Sequence, residues 1–134
     1  IGEGYAYSPL SKHHGLLCYR FFKLFSGLDG VLYDGRLDVT DKGLSEAWKN
    51  YGFINHFIRQ EELEEDFVDA VEASGVKLSD EDKASIREAR NKKTNTSSRL
   101  PATHYYDDET AQIVARGEQF IINRFNYSID SVLG

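Results

Sequence analysis

In residues 57–67, Phe57-Ile58-Arg59-Gln60-Glu61-Glu62-Leu63-Glu64-Glu65-Asp66-Phe67, a short apolar run passes abruptly into an acidic segment. The apolar run begins at Phe53 and is short and aromatic, so residues 53–58 predict a buried strand. The glutamates that follow favour the first turn of a helix, where carboxylates meet the positive end of the helix dipole. We expect this helix to end at Gly75, with an apolar stripe made of Leu63, Phe67, Ala70 and Val71.

Several short motifs lie in a fixed order from this stretch to residue 128. They are an Arg-x-Glu-x-Leu-x-x-Asp-Phe pattern, an Asn-x-Ser loop, a Tyr-Tyr-Asp-Asp-Glu-Thr helix start and a Phe-x-Tyr ending. The residues concerned are Arg59, Glu61, Leu63, Asp66, Phe67, Asn95, Ser97, Tyr105 to Thr110, Phe125 and Tyr127. In their order and spacing, residues 53–128 resemble the late segment of carbohydrate-type sulfotransferases.

The resemblance implies the C-terminal part of an α/β P-loop-like sulfotransferase fold. The donor would be 3′-phosphoadenosine 5′-phosphosulfate, and the acceptor would be a hydroxyl group, most simply one on a carbohydrate. For this chain we therefore expect a mainly α structure with one to three short strands. Residues 1–7 would form an extended arm, residues 8–52 a helical lead-in with a possible hairpin at 31–39, and residues 53–128 the sulfotransferase-like part.

One expected feature of such an enzyme is missing from the sequence. No Gly-x-x-x-x-Gly-Lys-Ser/Thr loop, which would hold the 5′-phosphosulfate, occurs before residue 53. The chain also starts at Ile1 and contains no Met, so we expect either a fragment or a single small domain. A missing N-terminal segment or a protein partner would then complete it. The alternative is a non-catalytic helical binding or assembly module derived from the same fold.

Charge and composition exclude several classes of protein. The net charge is −6, which argues against a general nucleic-acid binder because a phosphate backbone requires a basic face. A single cysteine, Cys18, excludes an internal disulfide and a cysteine-rich zinc site, and we expect no metal. No apolar run is long enough for a membrane span and no signal peptide opens the chain, which predicts a soluble, cytoplasmic protein.

The N-terminal third predicts two helices. Ser8 and Pro9 form an N-cap followed by proline at the first helical position, and Gly27 would end this helix. Gly15 in its middle indicates close packing or a break. Leu10, Leu17, Phe21, Leu24 and Phe25 would share its apolar side, with Cys18 beside them. A second helix, capped by Thr40 or Asp41, would face the core with Leu44, Ala47 and Trp48.

Between these helices, Asp34-Gly35 favours a hairpin at 31–39, although an ordered loop is nearly as well supported. Farther along the chain, Ser79 begins a capping-box-like helix that would reach about Asn91. Asp107 or Asp108 would cap a last helix.

The most informative polar stretch is residues 87–99, where five bases are opposed by Glu88 alone. By resemblance, this region contacts the 3′-phosphate and the adenosine of the donor. The candidate nucleotide-binding residues are Lys92, Lys93, Ser97 and Arg99, joined by Lys12 from the stretch 8–22. In the competing interpretation, Arg90 and Lys92 complement a helix C-terminus and the other bases are solvated.

No catalytic residue is assigned. Sulfuryl transfer requires a base near the acceptor hydroxyl, and in the family it comes from a segment that this chain lacks. The four histidines are expected to be surface or interface residues. For Arg59 and Glu61, pairing of Arg59 with a nearby carboxylate is favoured over a role in a site.

Overall fold

The computed structural model describes residues 4–92, 98 and 100–128, and these residues are mainly helical. Contacts between Cα atoms divide the chain into two compact units, one made of residues 1–53 and 100–134, the other of residues 54–99. The first unit is called unit 1 and the second unit 2. Among the described residues, no helix is long and apolar enough to cross a lipid bilayer.

Unit 1 contains four α-helices among its described residues. They are α1 (Leu16–Phe25), α2 (Asp41–Tyr51), α5 (Asp108–Gly117) and α6 (Gln119–Phe125). Short 3₁₀ helices at Tyr5–Tyr7, Pro9–Lys12, Val31–Tyr33 and Ala102–His104 join or precede them. Residues 5–7 are therefore helical, which corrects the predicted extended arm. The ring of Tyr5 packs on Tyr19 at 5.6 Å between centroids, so this segment is anchored to α1.

The N-terminal helix predicted from residue 8 is two helices with a break at Gly15. Ser8 caps the 3₁₀ helix as expected, because its hydroxyl accepts from the backbone N–H of Leu10. The break changes which residues face the core, since α1 starts a new helical phase at Leu16. Leu17 and Leu24 are 56% and 60% exposed, which corrects the predicted stripe. The buried positions are Cys18, Tyr19, Phe21 and Phe22.

Aromatic rings fill the core of unit 1. Phe21 of α1 lies 4.6 Å from Trp48 of α2 between ring centroids, and Phe22 lies 5.0 Å from Phe120 of α6. Leu44 of α2 is fully buried, and Thr40 caps α2 because its side chain accepts from the N–H of Gly43. The predictions for α2, its cap and its core-facing side are confirmed.

A buried carboxylate from the C-terminal region holds the start of α1. Glu118 is 8% exposed, and its two carboxylate oxygens accept the backbone N–H groups of Leu17 at 3.0 Å and Cys18 at 2.7 Å. The N–H of Gly15 donates to the carbonyl of Gly117 at 2.7 Å. Glu118 also separates α5 from α6, so the single last helix that the sequence predicts is two helices. Asp107 caps α5 as predicted, in a capping box with Thr110.

The predicted strands are not formed. Among the described residues, the β-type pairing is one isolated antiparallel bridge between Ser26 and Gly52. Residues 53–58 have no regular structure, and Phe53 and Ile58 are about half exposed, because no described segment offers a strand partner. The hairpin at 31–39 is instead a 3₁₀ turn followed by a loop, in which Asp34 accepts from the backbone and guanidinium of Arg36. The alternative of an ordered loop is thus correct.

Unit 2 consists of α3 (Leu63–Ala73) and α4 (Asp80–Glu88), with 3₁₀ turns at Gln60–Glu62 and Ala89–Asn91. Ser79 and Asp82 form the capping box expected for α4. Gly75 follows the end of α3 and has a φ of +93°, a conformation that favours glycine. The buried position of α3 is Val68, whereas Leu63 and Phe67 are 48% and 42% exposed. The stripe predicted for α3 is therefore only partly buried.

Candidate functional site

Two of the five candidate nucleotide-binding residues lie within the described part of the chain. Lys92 is exposed at the end of the 3₁₀ turn that follows α4, in unit 2. Lys12 is exposed in the last turn of the 3₁₀ helix before α1, in unit 1. Lys93, Ser97 and Arg99 lie outside the described residues. Lys92 is thus a solvent-accessible cation at a helix end, which fits either a phosphate contact or a helix C-terminal complement.

One of the five bases in the basic stretch has a different role. The guanidinium of Arg87 donates to both carboxylate oxygens of Glu65, at 2.7 Å and 2.9 Å, and ties α4 to α3. A second pair, Lys83 and Glu72, lies 2.6 Å apart between the same helices. The acidic face of α3 and the basic residues of α4 therefore neutralise each other in part. The number of bases in residues 87–99 is therefore larger than the number of cations available to bind a phosphate, since Arg87 is paired with Glu65.

Arg59 forms a tight clasp with Asp66. Its Nε donates to Oδ2 at 2.8 Å, its Nη2 donates to Oδ1 at 2.9 Å, and its backbone N–H donates to Oδ2 at 2.9 Å. These hydrogen bonds from Arg59 hold the pKa of the Asp66 carboxyl down at about 2. The expectation that Arg59 pairs with a neighbouring carboxylate is confirmed. The clasp ties the residue before the 3₁₀ turn to the first turn of α3.

The structure contains a cleft in unit 1 that sequence reasoning missed. Its volume is about 290 Å³, and it lies between one face of α2 and one face of α6. The lining residues are Asp41, Ser45, Trp48, Phe120, Asn123 and Arg124. Asp41, Ser45 and Trp48 are three or four residues apart in α2, so they lie on one face of that helix. The other two polar lining residues follow Phe120 by three and four positions, on one face of α6. The sequence assigned Trp48 to packing, and no local pattern relates residue 48 to residue 124.

The cleft contains both a carboxylate, from Asp41, and a cation, Arg124, that lies over aromatic rings. The guanidinium carbon of Arg124 lies 4.5 Å from the centroid of the Trp48 ring and 5.7 Å from that of Phe21. Partial burial lowers the pKa of Arg124 below its usual value. The side-chain oxygen of Asn123 accepts from the amide of Gln119 at 2.6 Å.

Two titratable side chains near α1, Cys18 and His14, lie in fixed environments. Burial, and next the carboxylate of Glu118, raises the pKa of the Cys18 thiol to about 12, which makes it a poor nucleophile. His14 is held by Nε2 against the carbonyl of Val39 at 2.6 Å. Within the described ranges, no group of three His, Cys, Asp or Glu side chains could hold a metal ion.

No protein-family model, curated protein or solved structure matches this chain.

Proposed function

We propose that this chain forms the C-terminal part of a sulfotransferase that moves a sulfuryl group from 3′-phosphoadenosine 5′-phosphosulfate to a hydroxyl, most simply one on a carbohydrate. In this reaction the bond between sulfur and the 5′-phosphate oxygen breaks and a bond from sulfur to the acceptor oxygen forms. The proton of the acceptor hydroxyl passes to a base. The 5′-phosphosulfate loop and this base would be supplied by residues outside the chain.

The observation that carries the proposal is the clasp between Arg59 and Asp66. Both residues belong to the Arg-x-Glu-x-Leu-x-x-Asp-Phe pattern, and their three hydrogen bonds span its length. The seven-residue separation of Arg59 and Asp66 lets the planar guanidinium bind both oxygens of a carboxylate in the first turn of α3. The contact gives the pattern a structural role at the start of α3, and the link to sulfuryl transfer comes from the resemblance of residues 53–128.

In the proposed enzyme, the polypeptide after α4 contacts the 3′-phosphate of the nucleotide. Lys92, Lys93 and Arg99 would supply positive charge, and Ser97 would supply a neutral donor. Because Arg87 forms a salt bridge with Glu65, the contribution of each remaining base to nucleotide binding is measured by its own substitution.

The test compares two nucleotides by titration calorimetry on the purified chain. Adenosine 3′,5′-bisphosphate should bind at least tenfold more tightly than adenosine 5′-phosphate, because only the former has the 3′-phosphate. Lys93→Ala combined with Arg99→Ala should remove this preference, a loss of about 1.4 kcal/mol. Arg116→Gln, an exposed change on α5, is the matched control and should leave it unaltered.

Equal affinity for the two nucleotides, or no binding of either, would refute the proposal. Because the sequence has no 5′-phosphosulfate loop, we also expect the 134-residue chain to show no sulfuryl transfer to sugar acceptors. Turnover by the purified chain would contradict that expectation.

The second candidate is the non-catalytic binding or assembly module. It is favoured by an apolar groove of about 290 Å³ in unit 2, lined by Leu63, Glu64, Phe67, Ile86 and Ala89. Leu63 and Phe67 are both more than 40% exposed there. Failure of the nucleotide test would leave this candidate in place.

A further inference from the structure

Two tyrosine side chains of unit 1 meet at their hydroxyl groups. The hydroxyl oxygens of Tyr19 on α1 and Tyr33 on the 3₁₀ turn Val31–Tyr33 lie 2.7 Å apart. Their rings meet edge to face, with 6.5 Å between centroids. A phenol hydroxyl both donates and accepts, so one of the two donates to the other. The contact therefore brings together the ends of two phenols that are separated by 14 positions in the sequence.

The two tyrosines differ in exposure. Tyr33 is 42% exposed, whereas Tyr19 is 2% exposed. A reagent in solution thus reaches the ring of Tyr33, and the ring of Tyr19 is shielded from other protein molecules. Tyr5 also packs on Tyr19, at 5.6 Å between centroids, but its hydroxyl donates to the carbonyl of His14. Tyr33 is therefore the tyrosine whose hydroxyl contacts that of Tyr19.

Oxidation can join two phenols that are held in this way. Loss of one electron and one proton converts each tyrosine to a phenoxyl radical, whose unpaired electron is shared by the oxygen and the ring carbons ortho to it. Two radicals combine by a bond between these ortho carbons. The C–H bonds at the same carbons then break, and their protons pass to the two oxygens, which restores both phenols. Because the two phenols are already in contact, the coupling step is effectively unimolecular and is favoured over encounters between molecules.

We propose that Tyr19 and Tyr33 form a site of oxidative cross-linking, at which a haem peroxidase and hydrogen peroxide join the two rings by a carbon–carbon bond. One hydrogen peroxide accepts the two electrons and two protons that the chain loses, and gives two molecules of water. The product ties α1 covalently to the turn Val31–Tyr33. Such a link restricts the unfolded chain as a disulfide does, so the cross-linked protein should unfold at a higher urea concentration.

The nearby thiol offers little competition for the oxidant. Cys18 precedes Tyr19 in the chain and is fully buried. Burial, and next the carboxylate of Glu118, raises the pKa of this thiol to about 12, so almost no thiolate is present to react with hydrogen peroxide near neutral pH.

The position of Gly4 allows the two hydroxyls to be separated without removing either tyrosine. A Cβ atom at Gly4 would overlap the hydroxyl oxygens of both Tyr19 and Tyr33. The φ of Gly4 is −82°, which alanine adopts without strain. Gly4→Ala therefore tests the contact itself, whereas Tyr33→Phe tests the need for the phenol.

The experiment treats the purified chain, at low concentration, with a haem peroxidase and equimolar hydrogen peroxide. Intact mass should show a monomer that has lost two hydrogen atoms. Trypsin leaves Tyr19 in residues 13–20, Tyr33 in residues 24–36, and Tyr5 with Tyr7 in residues 1–12. The cross-linked peptide should join residues 13–20 to residues 24–36.

Three variants assign the reaction, and circular dichroism checks that each is folded. Tyr33→Phe should lower the yield of this peptide at least tenfold, and Gly4→Ala should lower it at least threefold. Tyr7→Phe, at an 80% exposed site, is the matched control and should change it by less than twofold.

The inference is independent of the proposed sulfotransferase activity, and its test uses no nucleotide. Three results would overturn it. The first is the absence of a monomer that has lost two hydrogen atoms, including a reaction that gives only cross-linked dimers. The second is a peptide that joins residues 13–20 to residues 1–12, which would assign the coupling to a different tyrosine. The third is an unchanged yield in Gly4→Ala, which would show that the contact between hydroxyls does not direct the reaction.

Discussion

Replacement of Glu118 by alanine should uncouple α1 from the C-terminal helices. The wild-type carboxylate accepts the N–H groups of Leu17 and Cys18 at the start of α1, where helix donors have no partner within the helix. Alanine would leave one buried donor, at Cys18, and one partly buried donor, at Leu17, unsatisfied, at about 1–3 kcal/mol each. We expect Glu118→Ala to lower the free energy of unfolding by about 2–5 kcal/mol, since the side chain can be replaced only in part by water.

Glu118→Gln should cost less than Glu118→Ala. A neutral amide retains one acceptor oxygen, but it loses the charge that favours the helix N-terminus, an effect of about 0.3–2 kcal/mol. The assay is urea denaturation followed by the fluorescence of Trp48, which lies in the same unit as Glu118. Glu46→Ala, at an exposed position of α2, is the control and should stay within about 0.5 kcal/mol of wild type.

A double-mutant cycle with Gly15 tests the geometry itself. A Cβ atom at Gly15 would overlap Oε1 of Glu118, although the backbone there is extended and accepts any residue. Gly15→Ala should therefore destabilise the wild-type protein by displacing the carboxylate, and should cost little in the Glu118→Ala background. Additive effects of the two changes, or a Glu118→Ala variant as stable as the Glu46→Ala control, would refute this account of the cap.

Three further predictions concern named side chains. Arg59 lowers the pKa of Asp66 in the folded chain to about 2, compared with about 4 in the unfolded chain. The contact should therefore stabilise unit 2 fully above about pH 4, and this stabilisation should be lost as the pH falls through about 2. Carboxyl ¹³C NMR measures the pKa of Asp66 directly. Cys18, with its pKa raised to about 12, should resist iodoacetamide at pH 8 in the folded chain and react in urea; rapid labelling without denaturant would contradict its burial. Leu44→Ala should cost about 2–5 kcal/mol in urea denaturation, whereas Leu24→Ala, at a 60% exposed site, should cost less than about 1 kcal/mol; equal costs would contradict the assigned helical phase of α1.

Local chemistry in the sequence was sufficient to place most helix ends. The sequence predicted the caps at Ser8 and Ser79 and the end of α3 near Gly75, and it gave Thr40 and Asp107 each as one of two neighbouring candidates. Each depends on a side chain and backbone groups within a few residues, so the sequence neighbourhood contains the whole interaction. For Gly15 the sequence indicated close packing or a break, and the break that forms is held by Gly117 and Glu118 from the far end of the chain.

The candidate site was predicted only where its partners are close in sequence. The pairing of Arg59 with a nearby carboxylate was expected, and Asp66 lies within the same short motif. The basic stretch 87–99 was weighed as one cluster, but Arg87 is bound to Glu65 on another helix. Charge counting could not reveal this, because the contact depends on how α3 and α4 pack.

Local caps in the sequence place the helix ends at Ser8, Ser79 and Gly75, whereas the start of α1 at Leu16, the division between α5 and α6 at Glu118 and the residues that each helix buries depend on tertiary packing. Residues 53–58 had the composition of a strand, yet a strand requires a partner to satisfy its backbone groups, and no local signal supplies one. Glu118 caps a helix that begins about a hundred residues earlier, and the cleft joins Trp48 to Arg124. Contacts of this kind depend on packing distant segments together, so they have no signature in the residues on either side of them.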